Sequence, residues 1–425
     1  MLSGIRSLYY RLCGPLTAAG ARRKACDDKD AHHTADDIVF RQASGAEHVN
    51  ASVRIVSEAD DLQGRGYMKF ALFNQLQMPK PWGENAEARL YKESIREAVH
   101  AEAVGFDAYW QTEHHFYTEI GHSSAPEIVL AAISQQTSRI RLGLGVVVLP
   151  CNHPYRVAEY VSTLDVVSDG RVEFGTGRGA SPYHIEAFGY TPDESKAVWE
   201  EALRAICSMF LHDPFPGWHG KYYPNLPARD IIPRPIQKPH PPLWVAATSP
   251  ATFADAARLG LGALGVVRLG PAQLAPAIQA YRAAITDCEP VGGCVNQQVG
   301  AYALCGIDKD YGVGRDSAGA AARWFLGENQ AALQSHRFDN RWLLNLSNEQ
   351  LIEEGIIIGG DPDSACRGIE RWMHVGVDTL LLMLRAGHTT HDQVLRGLDL
   401  LGEKVLPKFQ EATPSKNHPH MNVSA

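Results

Sequence analysis

A glutamate and two adjacent histidines lie among aromatic residues in the segment WQTEHHFYTEIG, residues 110–121. Neighbouring side chains in an extended chain point to opposite sides, so His114 and His115 are not expected to share a metal ion. A histidine titrates near neutral pH and can supply a hydrogen bond or a proton to a developing anion. The segment therefore predicts either acid–base chemistry or a structural histidine, and no metal site.

Alternating glycines surround an arginine in the segment FGTGRGAS, residues 174–181. Gly175, Gly177 and Gly179 let the backbone approach an anion closely, and the Arg178 guanidinium can pair with a phosphate through two hydrogen bonds. The spacing departs from the dinucleotide-binding fingerprint, because Ala180 stands where the third glycine would be and no helical pattern begins there. The alternatives are an anion-binding loop and a glycine-rich loop without a ligand.

A second candidate phosphate-binding segment is ATSPAT, residues 247–252. Thr248, Ser249 and Thr252 lie where a helical pattern begins, and hydroxyls and free N–H groups at a helix N-terminus favour phosphate. Together with Arg178 on a neighbouring loop, these residues predict a site for a phosphorylated cofactor.

From Lys69 onward, short apolar runs alternate with helical patterns in eight successive units. Such alternation is typical of a parallel sheet in an α/β protein, and eight units predict a closed (β/α)₈ TIM barrel with insertions after strands four and seven. An open doubly wound sheet is the competing architecture. Function in a barrel lies at the carboxyl ends of the strands, so the three segments above are expected to converge on one rim.

The insertion after strand four, residues 212–242, contains nine prolines and several aromatic residues. This composition predicts an irregular flap and not a continuous helix or strand. Its aromatic residues Phe215, Trp218, Tyr222 and Tyr223 are expected either to close over a ligand or to pack the flap itself.

Composition narrows the partners. The 425 residues are 45% hydrophobic and 21% charged, with a net charge of −8 and a pI near 6.1. This balance is typical of a globular protein and disfavours nucleic acid and anionic membrane surfaces as partners. No run approaches the length of a spanning helix, and the eight cysteines have no disulfide or zinc spacing. We expect a cytoplasmic protein with reduced thiols.

Both ends of the chain differ from the rest. Residues 1–67 have no sustained periodicity and are expected to be a poorly ordered leader, a transit peptide, or residues upstream of a native start at Met68. Residues 68–410 are predicted to form the barrel domain, and residues 411–425 a disordered tail.

From Met68 to about Phe409, the chain resembles the bacterial luciferase-like flavin monooxygenases, a TIM-barrel family. The resemblance is carried by EHHF, by VLPCNHPYRVAEYVSTLDVVSDGRVEFGTGRG and by VAATSPAT, in this order and spacing. At Gly177 the light-emitting members carry a reactive cysteine, so the resemblance is to the non-luminous members.

The resemblance implies roles for individual residues. His114 looks like the family's catalytic histidine, with Glu113 or a backbone carbonyl setting its tautomer. Arg178, Ser249 and Thr252 look like ligands of the FMN phosphate, with Thr248 beside them. At the flavin ring the resemblance places Gly177 and the pair Gly145 and Val146, where the family often has a non-proline cis peptide.

The implied reaction is oxygenation of a small organic substrate through a flavin 4a-hydroperoxide formed from reduced FMN and dioxygen. The reduced FMN is expected from a separate NAD(P)H-dependent flavin reductase, and the chain is expected to form a homodimer through its second and third helices. The alternatives are a deazaflavin-dependent oxidoreductase on the same barrel and a non-catalytic partner subunit. The substrate is not identified by the sequence.

Overall fold

The computed structural model describes residues 67–179, 181–265, 269–333 and 341–410, with backbone alone for 328–333 and 341. The expectations for a leader before Met68 and for a tail after residue 410 lie outside the described residues. Within the described ranges, no helix combines the length and apolar character that crossing a membrane requires.

The described residues form nine strands and eleven helices. The strands are β1 (Lys69–Asn74), β2 (Ala108–Gln111), β3 (Arg141–Val148), β4 (Val172–Gly177), β5 (Leu243–Ala246), β6 (Gly262–Leu264), β7 (Val299–Ile307), β8 (Ile357–Gly360) and β9 (Thr379–Met383). The helices are α1 (Ala86–Ala103), α2 (Pro126–Ser134), α3 (Pro154–Val167), α4 (Pro182–Ala187), α5 (Ser195–Leu211), α6 (Pro250–Arg258), α7 (Pro271–Ala284), α8 (Tyr311–Leu333), α9 (Asn348–Glu353), α10 (Pro362–His374) and α11 (His391–Leu400).

Eight of the strands close a parallel barrel in the order β1, β2, β3, β4, β5, β6, β7 and β9, and β9 pairs again with β1. The predicted (β/α)₈ barrel is confirmed, as are its insertions, which occupy residues 178–242 after β4 and 308–378 after β7. Six helices begin at a proline, whose missing N–H and fixed φ suit the first helical position.

Strand β8 lies within the insertion after β7, where the sequence analysis predicts no strand. Ile357 and Ile358 pair with Leu304 and Cys305 in the second half of β7. This half extends beyond the two residues that pair with β6, so its free edge accepts an extra parallel strand.

Two apolar layers hold the barrel together. One layer lies between the strands and the surrounding helices, and the second fills the barrel interior. In the interior, Trp110 and Trp244 meet edge to face, with ring centroids 5.6 Å apart. Glycines on the adjoining strands make room for these indoles, since a Cβ on Gly143 would lie 2.0 Å from Trp110 and one on Gly262 would lie 2.5 Å from Trp244.

A buried ionic cluster joins the two ends of the sheet where the barrel closes. Arg385, just after β9, pairs with Glu93 and Glu97 of α1, and His391 Nδ1 lies 2.8 Å from Glu97 Oε1. Burial raises the pKa of Glu97, although Arg385 and His391 oppose that shift. Arg385, Glu93 and His391 also line a cavity of about 290 Å³ at this part of the rim.

The six cysteines within the described ranges are free thiols: Cys151, Cys207, Cys288, Cys294, Cys305 and Cys366.

Candidate active site

The loop after β2 is tied to the end of β3 by Glu113. The buried Glu113 carboxylate accepts hydrogen bonds from the Val148 N–H at 3.0 Å and from Asn152 Nδ2 at 2.8 Å. His115 Nε2 lies 2.8 Å from Glu113 Oε1. Glu113 therefore orients His115, and the group that sets the tautomer of His114, Glu113 or a backbone carbonyl, stays a prediction.

His114 presents an unpaired imidazole nitrogen. Its backbone N–H donates to the Ser123 carbonyl at 2.7 Å, which holds the loop in place. Its Nε2 atom is buried and has no hydrogen-bond partner among the described residues. Burial, with smaller contributions from His184 and His115, lowers the pKa of His114 to about 3, so the ring is neutral at neutral pH. Leaving such an atom unpaired costs about 1–3 kcal/mol, which a ligand that bonds to it would recover.

At the carboxyl ends of β3 and β5, Val146 is half-buried and Ala246 is exposed. The peptide bond between Gly145 and Val146 is cis, as the resemblance predicts. A Cβ on Gly177 would lie 2.6 Å from Val146 Cγ2 and 3.9 Å from the Cβ of Ala246, which is exposed although it ends a buried strand. Because residues 177 and 246 are small, a planar ring could lie against Val146 at these strand ends.

Arg178 and the β5–α6 junction lie at neighbouring strand ends. Arg178 follows β4 directly and is exposed, and Gly179 turns the chain with a φ of 81°. Because Thr176 pairs with Val245 in the sheet, the loops that carry Arg178 and Thr248 leave the barrel side by side. The structure therefore brings the two predicted phosphate-binding segments to adjacent positions on one rim.

The hydroxyls at the start of α6 form a capping box. Thr252 Oγ1 accepts the N–H groups of Thr248 at 3.0 Å and Ser249 at 2.9 Å, and Ser249 Oγ accepts the N–H of Thr252 at 3.3 Å. Thr252 Oγ1 also donates to the Ser249 carbonyl at 2.9 Å. A hydroxyl has one proton to donate, and that of Thr252 goes to the Ser249 carbonyl. Ser249 Oγ lies 3.2 Å from Thr252 Oγ1 and can donate either there or to a phosphate oxygen.

The structure adds His184 and Ser181, which the sequence analysis did not find. His184 is buried on α4, with its ring centroid 6.2 Å from that of His114 and 4.2 Å from that of Tyr117. Burial, assisted by His115, lowers the pKa of His184 to about 4. In the sequence, only the Ser-Pro pair at 181 and 182 signals that a short helix starts here.

The insertion 212–242 forms a small antiparallel ribbon in which Phe215 pairs with Arg229 and Trp218 with Leu226. Glu201 on α5 accepts the N–H groups of three consecutive residues of this ribbon, 221, 222 and 223. Phe215 and Tyr223 are buried in the layer between strands and helices. The aromatic residues of the predicted flap thus pack the insertion against α5, and a closing movement stays a prediction.

Over the part of the chain that the structure describes, no group of three or more His, Cys, Asp or Glu side chains is placed to hold a metal ion.

Comparison with known sequences places most of the chain in one family. The profile of the luciferase-like monooxygenases matches residues 68–379. An uncharacterised protein of Sinorhizobium fredii, y4wF, is 36% identical over 197 residues, which are 45% of this chain and 54% of the relative. The oxygenase component of the flavin-dependent trigonelline monooxygenase of Acinetobacter baylyi is 30% identical over 202 residues, 45% of this chain and 52% of that protein. The chain therefore spans about half the length of these curated relatives.

Solved structures share the fold over 81% of this chain. Monooxygenase RslO1 of Streptomyces bottropensis is 26% identical and is covered over its full length, with a TM-score of 0.71. The oxygenating constituent of 3,6-diketocamphane monooxygenase of Pseudomonas putida, solved with FMN, is 18% identical and 99% covered, with a TM-score of 0.66. The coenzyme F420-dependent tetrahydromethanopterin reductase of Methanopyrus kandleri is 19% identical and fully covered, with a TM-score of 0.61. Because the family profile spans most of the chain, this protein belongs to the luciferase-like monooxygenase family.

Proposed function

We propose that the protein is the oxygenase of a two-component flavin-dependent monooxygenase, which uses reduced FMN and dioxygen to oxygenate a small organic substrate. The observation that supports this most is the arrangement of one rim. Along this rim, the loop with the unpaired Nε2 of His114 follows β2, and the cis peptide between Gly145 and Val146 lies in the neighbouring strand β3. Gly177 and Ala246 end the next two strands, β4 and β5.

The residues present fit FMN in kind. Arg178 and Ser249 would hold the phosphate, with Thr252 and Thr248 shaping the helix start that faces it. The cis peptide at Gly145 and Val146, together with Gly177, would lie against the ring. When bound in its reduced form, FMN supplies the electrons that activate dioxygen.

The imidazole of His114 would act at the ring. Being neutral, it can donate a hydrogen bond from Nε2 to an oxygen that gains negative charge, or accept a proton from a bound group. The loop that carries it is held by the backbone hydrogen bond to the Ser123 carbonyl, which limits the reorganisation of the loop when charge develops.

The insertion after β7 would help to exclude water. The short 3₁₀ turn Arg341–Asn345 places Leu343 in the interior layer of the barrel, and Leu344, Leu346 and Trp324 pack against that layer. An apolar cover over the mouth strengthens the polar interactions beneath it and protects reactive species from water.

Partners follow from the same proposal. An NAD(P)H-dependent flavin reductase would provide the reduced FMN, as the words "oxygenase component" in the name of the Acinetobacter relative suggest. A homodimer would cover exposed apolar residues on α2 and α3, namely Ile128, Val166 and Val167. We propose a cytoplasmic location for this pair of proteins.

A deazaflavin is the second candidate cofactor, because the Methanopyrus reductase shares this fold and uses coenzyme F420. In that case the site would carry out hydride transfer without dioxygen.

The test is an anaerobic titration with reduced FMN and with reduced deazaflavin, followed by a pulse of dioxygen. We expect reduced FMN to bind at least about tenfold more tightly, and the pulse to produce an absorbance transient distinct from oxidised and reduced flavin. Tighter binding of deazaflavin with no response to dioxygen would assign hydride transfer instead. Binding of neither cofactor would favour a non-catalytic subunit.

A further inference from the structure

Two rim loops that are far apart in sequence form a combined polar and aromatic surface beside the candidate flavin site. One loop, residues 113–118, follows β2, and the other, residues 181–188, follows β4 and includes α4. His114, His184 and Tyr117 form what we call the imidazole floor. Phe116, Tyr183 and Phe188 form the aromatic shelf around it.

The imidazole floor contains two polar atoms that no described residue pairs. They are the buried Nε2 atoms of His114 and His184. His184 is 3% exposed. The Ser181 side chain beside them bonds to Tyr117. Buried polar groups are paired in nearly all native structures, so a cluster of unpaired ones indicates a ligand that pairs them.

The aromatic shelf is exposed and touches this floor. Phe116 and Tyr183 are each 55% exposed, with ring centroids 5.9 Å apart, and Phe188 lies 6.1 Å from Phe116. The Phe116 ring is also 6.3 Å from that of His184. Exposed apolar side chains gathered in one patch mark binding surfaces, and aromatic faces suit planar rings.

The backbone at Phe116 supports a functional reading of this patch. Phe116 has a φ of 63°, a left-handed conformation that bulky residues rarely adopt. The Glu113 contacts with Val148, Asn152 and His115 brace the start of the same loop. The fold therefore holds an apolar ring in solvent at a conformational cost, which is typical of a ligand-binding position.

The charge state of the imidazole floor limits the chemical class of its ligand. His114 and His184 are both neutral at neutral pH because burial lowers each pKa. At the edge of the floor, Glu113 and His115 pair with each other, with His115 Nε2 2.8 Å from Glu113 Oε1. A neutral donor or acceptor therefore suits the floor better than a carboxylate or a phosphate does.

We propose that these two loops bind the substrate, and that the substrate is a planar aromatic compound with a hydroxyl or carbonyl oxygen. His184 binds this oxygen, and Phe116, Tyr183 and Phe188 contact the ring. The inference rests on the proposed function for its placement beside FMN. It assigns His184 as a substrate-binding residue and the aromatic shelf as a determinant of specificity.

The test uses three probes of similar size: 2-naphthol, naphthalene and decahydro-2-naphthol. Naphthalene lacks the hydroxyl, and the decahydro compound lacks the aromatic faces. Calorimetric titration of the full chain should show that 2-naphthol binds more tightly than either of the other two. Equal affinities for all three probes, or no binding of 2-naphthol, would overturn the proposal.

Two variants separate the parts of the site. His184→Phe keeps a ring of similar size and removes the nitrogen, so it should weaken 2-naphthol about tenfold and leave naphthalene unchanged. Phe188→Ala should weaken both aromatic probes about fivefold and leave the decahydro compound unchanged. Ile236→Ala is the matched control, because Ile236 is also half exposed. It lies beside Gly170, which precedes the start of β4, and so is at the opposite end of that strand from the two loops. Equal loss of all probes in His184→Phe would assign His184 to packing alone.

Titrations with and without saturating FMN distinguish this site from the cofactor site. We expect 2-naphthol to bind in the presence of FMN, and competition between the two would assign the loops to the flavin ring, against the proposal. If FMN does not bind while 2-naphthol binding still depends on His184, the substrate site stands and the proposed flavin function fails.

Discussion

Neutral histidines give the candidate site its chemistry at the scale of single residues. A charged imidazolium would repel a second one nearby, and burial adds a penalty for either charge. Each neutral ring keeps one nitrogen that can donate or accept, which is what a site that handles a neutral oxygen requires.

The same histidines should make the protein sensitive to acid. Their folded-state pKa values, about 3 and about 4, lie below the unfolded value near 6.5, so the unfolded chain takes up protons that the folded chain excludes. Stability should therefore fall as pH decreases below about 6.5, with a loss of about 1–2 kcal/mol per histidine by pH 5.

Urea unfolding at several pH values checks this expectation. The double variant His114→Phe, His184→Phe should have a flatter profile between about pH 6.5 and pH 5 than the wild type. His219→Gln, an exposed histidine on the ribbon, serves as the control and should keep the wild-type profile. Parallel profiles for the double variant and the wild type would show that neither ring is held neutral.

Gly177 and Val146 should behave as a coupled pair. In Gly177→Ala the new Cβ would lie 2.6 Å from Val146 Cγ2, which is too close for two carbon atoms. We therefore expect a loss of about 1–3 kcal/mol in the free energy of unfolding. Adding Val146→Ala should recover part of this loss, because it removes the clashing methyl groups. A double-mutant cycle from urea unfolding measures the coupling, and additive effects would contradict the contact.

At the scale of elements, the start of α6 combines stability with a proposed binding role. Ser249→Ala removes the side chain that accepts the Thr252 N–H, at a cost of about 1 kcal/mol in stability. We also expect it to weaken FMN about tenfold and to leave riboflavin, which lacks the phosphate, unaffected.

Helix α11 offers a matched control for this prediction. It begins with the same kind of capping box, formed by Thr390 and Gln393. Thr390→Ala should cost a similar amount of stability, measured by urea unfolding, without changing FMN affinity in calorimetry. An equal loss of FMN and riboflavin binding in Ser249→Ala would show that the hydroxyl does not contact the phosphate.

The elements also show how far sequence patterns reach. The eight barrel strands are apolar runs between helical patterns, and the Ser-Pro-Ala-Thr start of α6 has the composition of a capped helix, so both were predictable. Strand β8 was missed because a run of two isoleucines and two glycines is too short to show a period, and only the overhanging edge of β7 makes it a strand. His184 was missed for a related reason, since the short helix α4 has no periodic signal. Its contact with His114 arises only when the loops after β2 and β4 come together in the folded barrel.

At the scale of the whole molecule, we predict that the ionic cluster between β9 and α1 supports barrel closure, since it lies beside the pairing of β1 with β9. Arg385→Ala would leave Glu97 buried without its cation, so we expect a loss of about 3–5 kcal/mol in the free energy of unfolding. Adding Glu97→Gln should recover part of that loss, because the uncompensated charge is removed.

Urea unfolding of the single and double variants measures this effect. Arg204→Ala is the control, since its pair with Glu200 is on the surface of α5 and should contribute less than about 1 kcal/mol. Equal small losses for Arg385→Ala and Arg204→Ala would show that closure does not depend on the cluster.

The two indoles that fill the barrel interior also make the protein its own optical probe. Trp110 and Trp244 are buried directly below the mouth, and their emission overlaps the absorption of an oxidised flavin. An oxidised flavin bound above them would quench their fluorescence by resonance energy transfer. A naphthol bound to the two loops would leave most of the tryptophan emission unchanged. The wavelength and lifetime of tryptophan emission can therefore show whether the flavin site or the two loops are occupied, with no label attached.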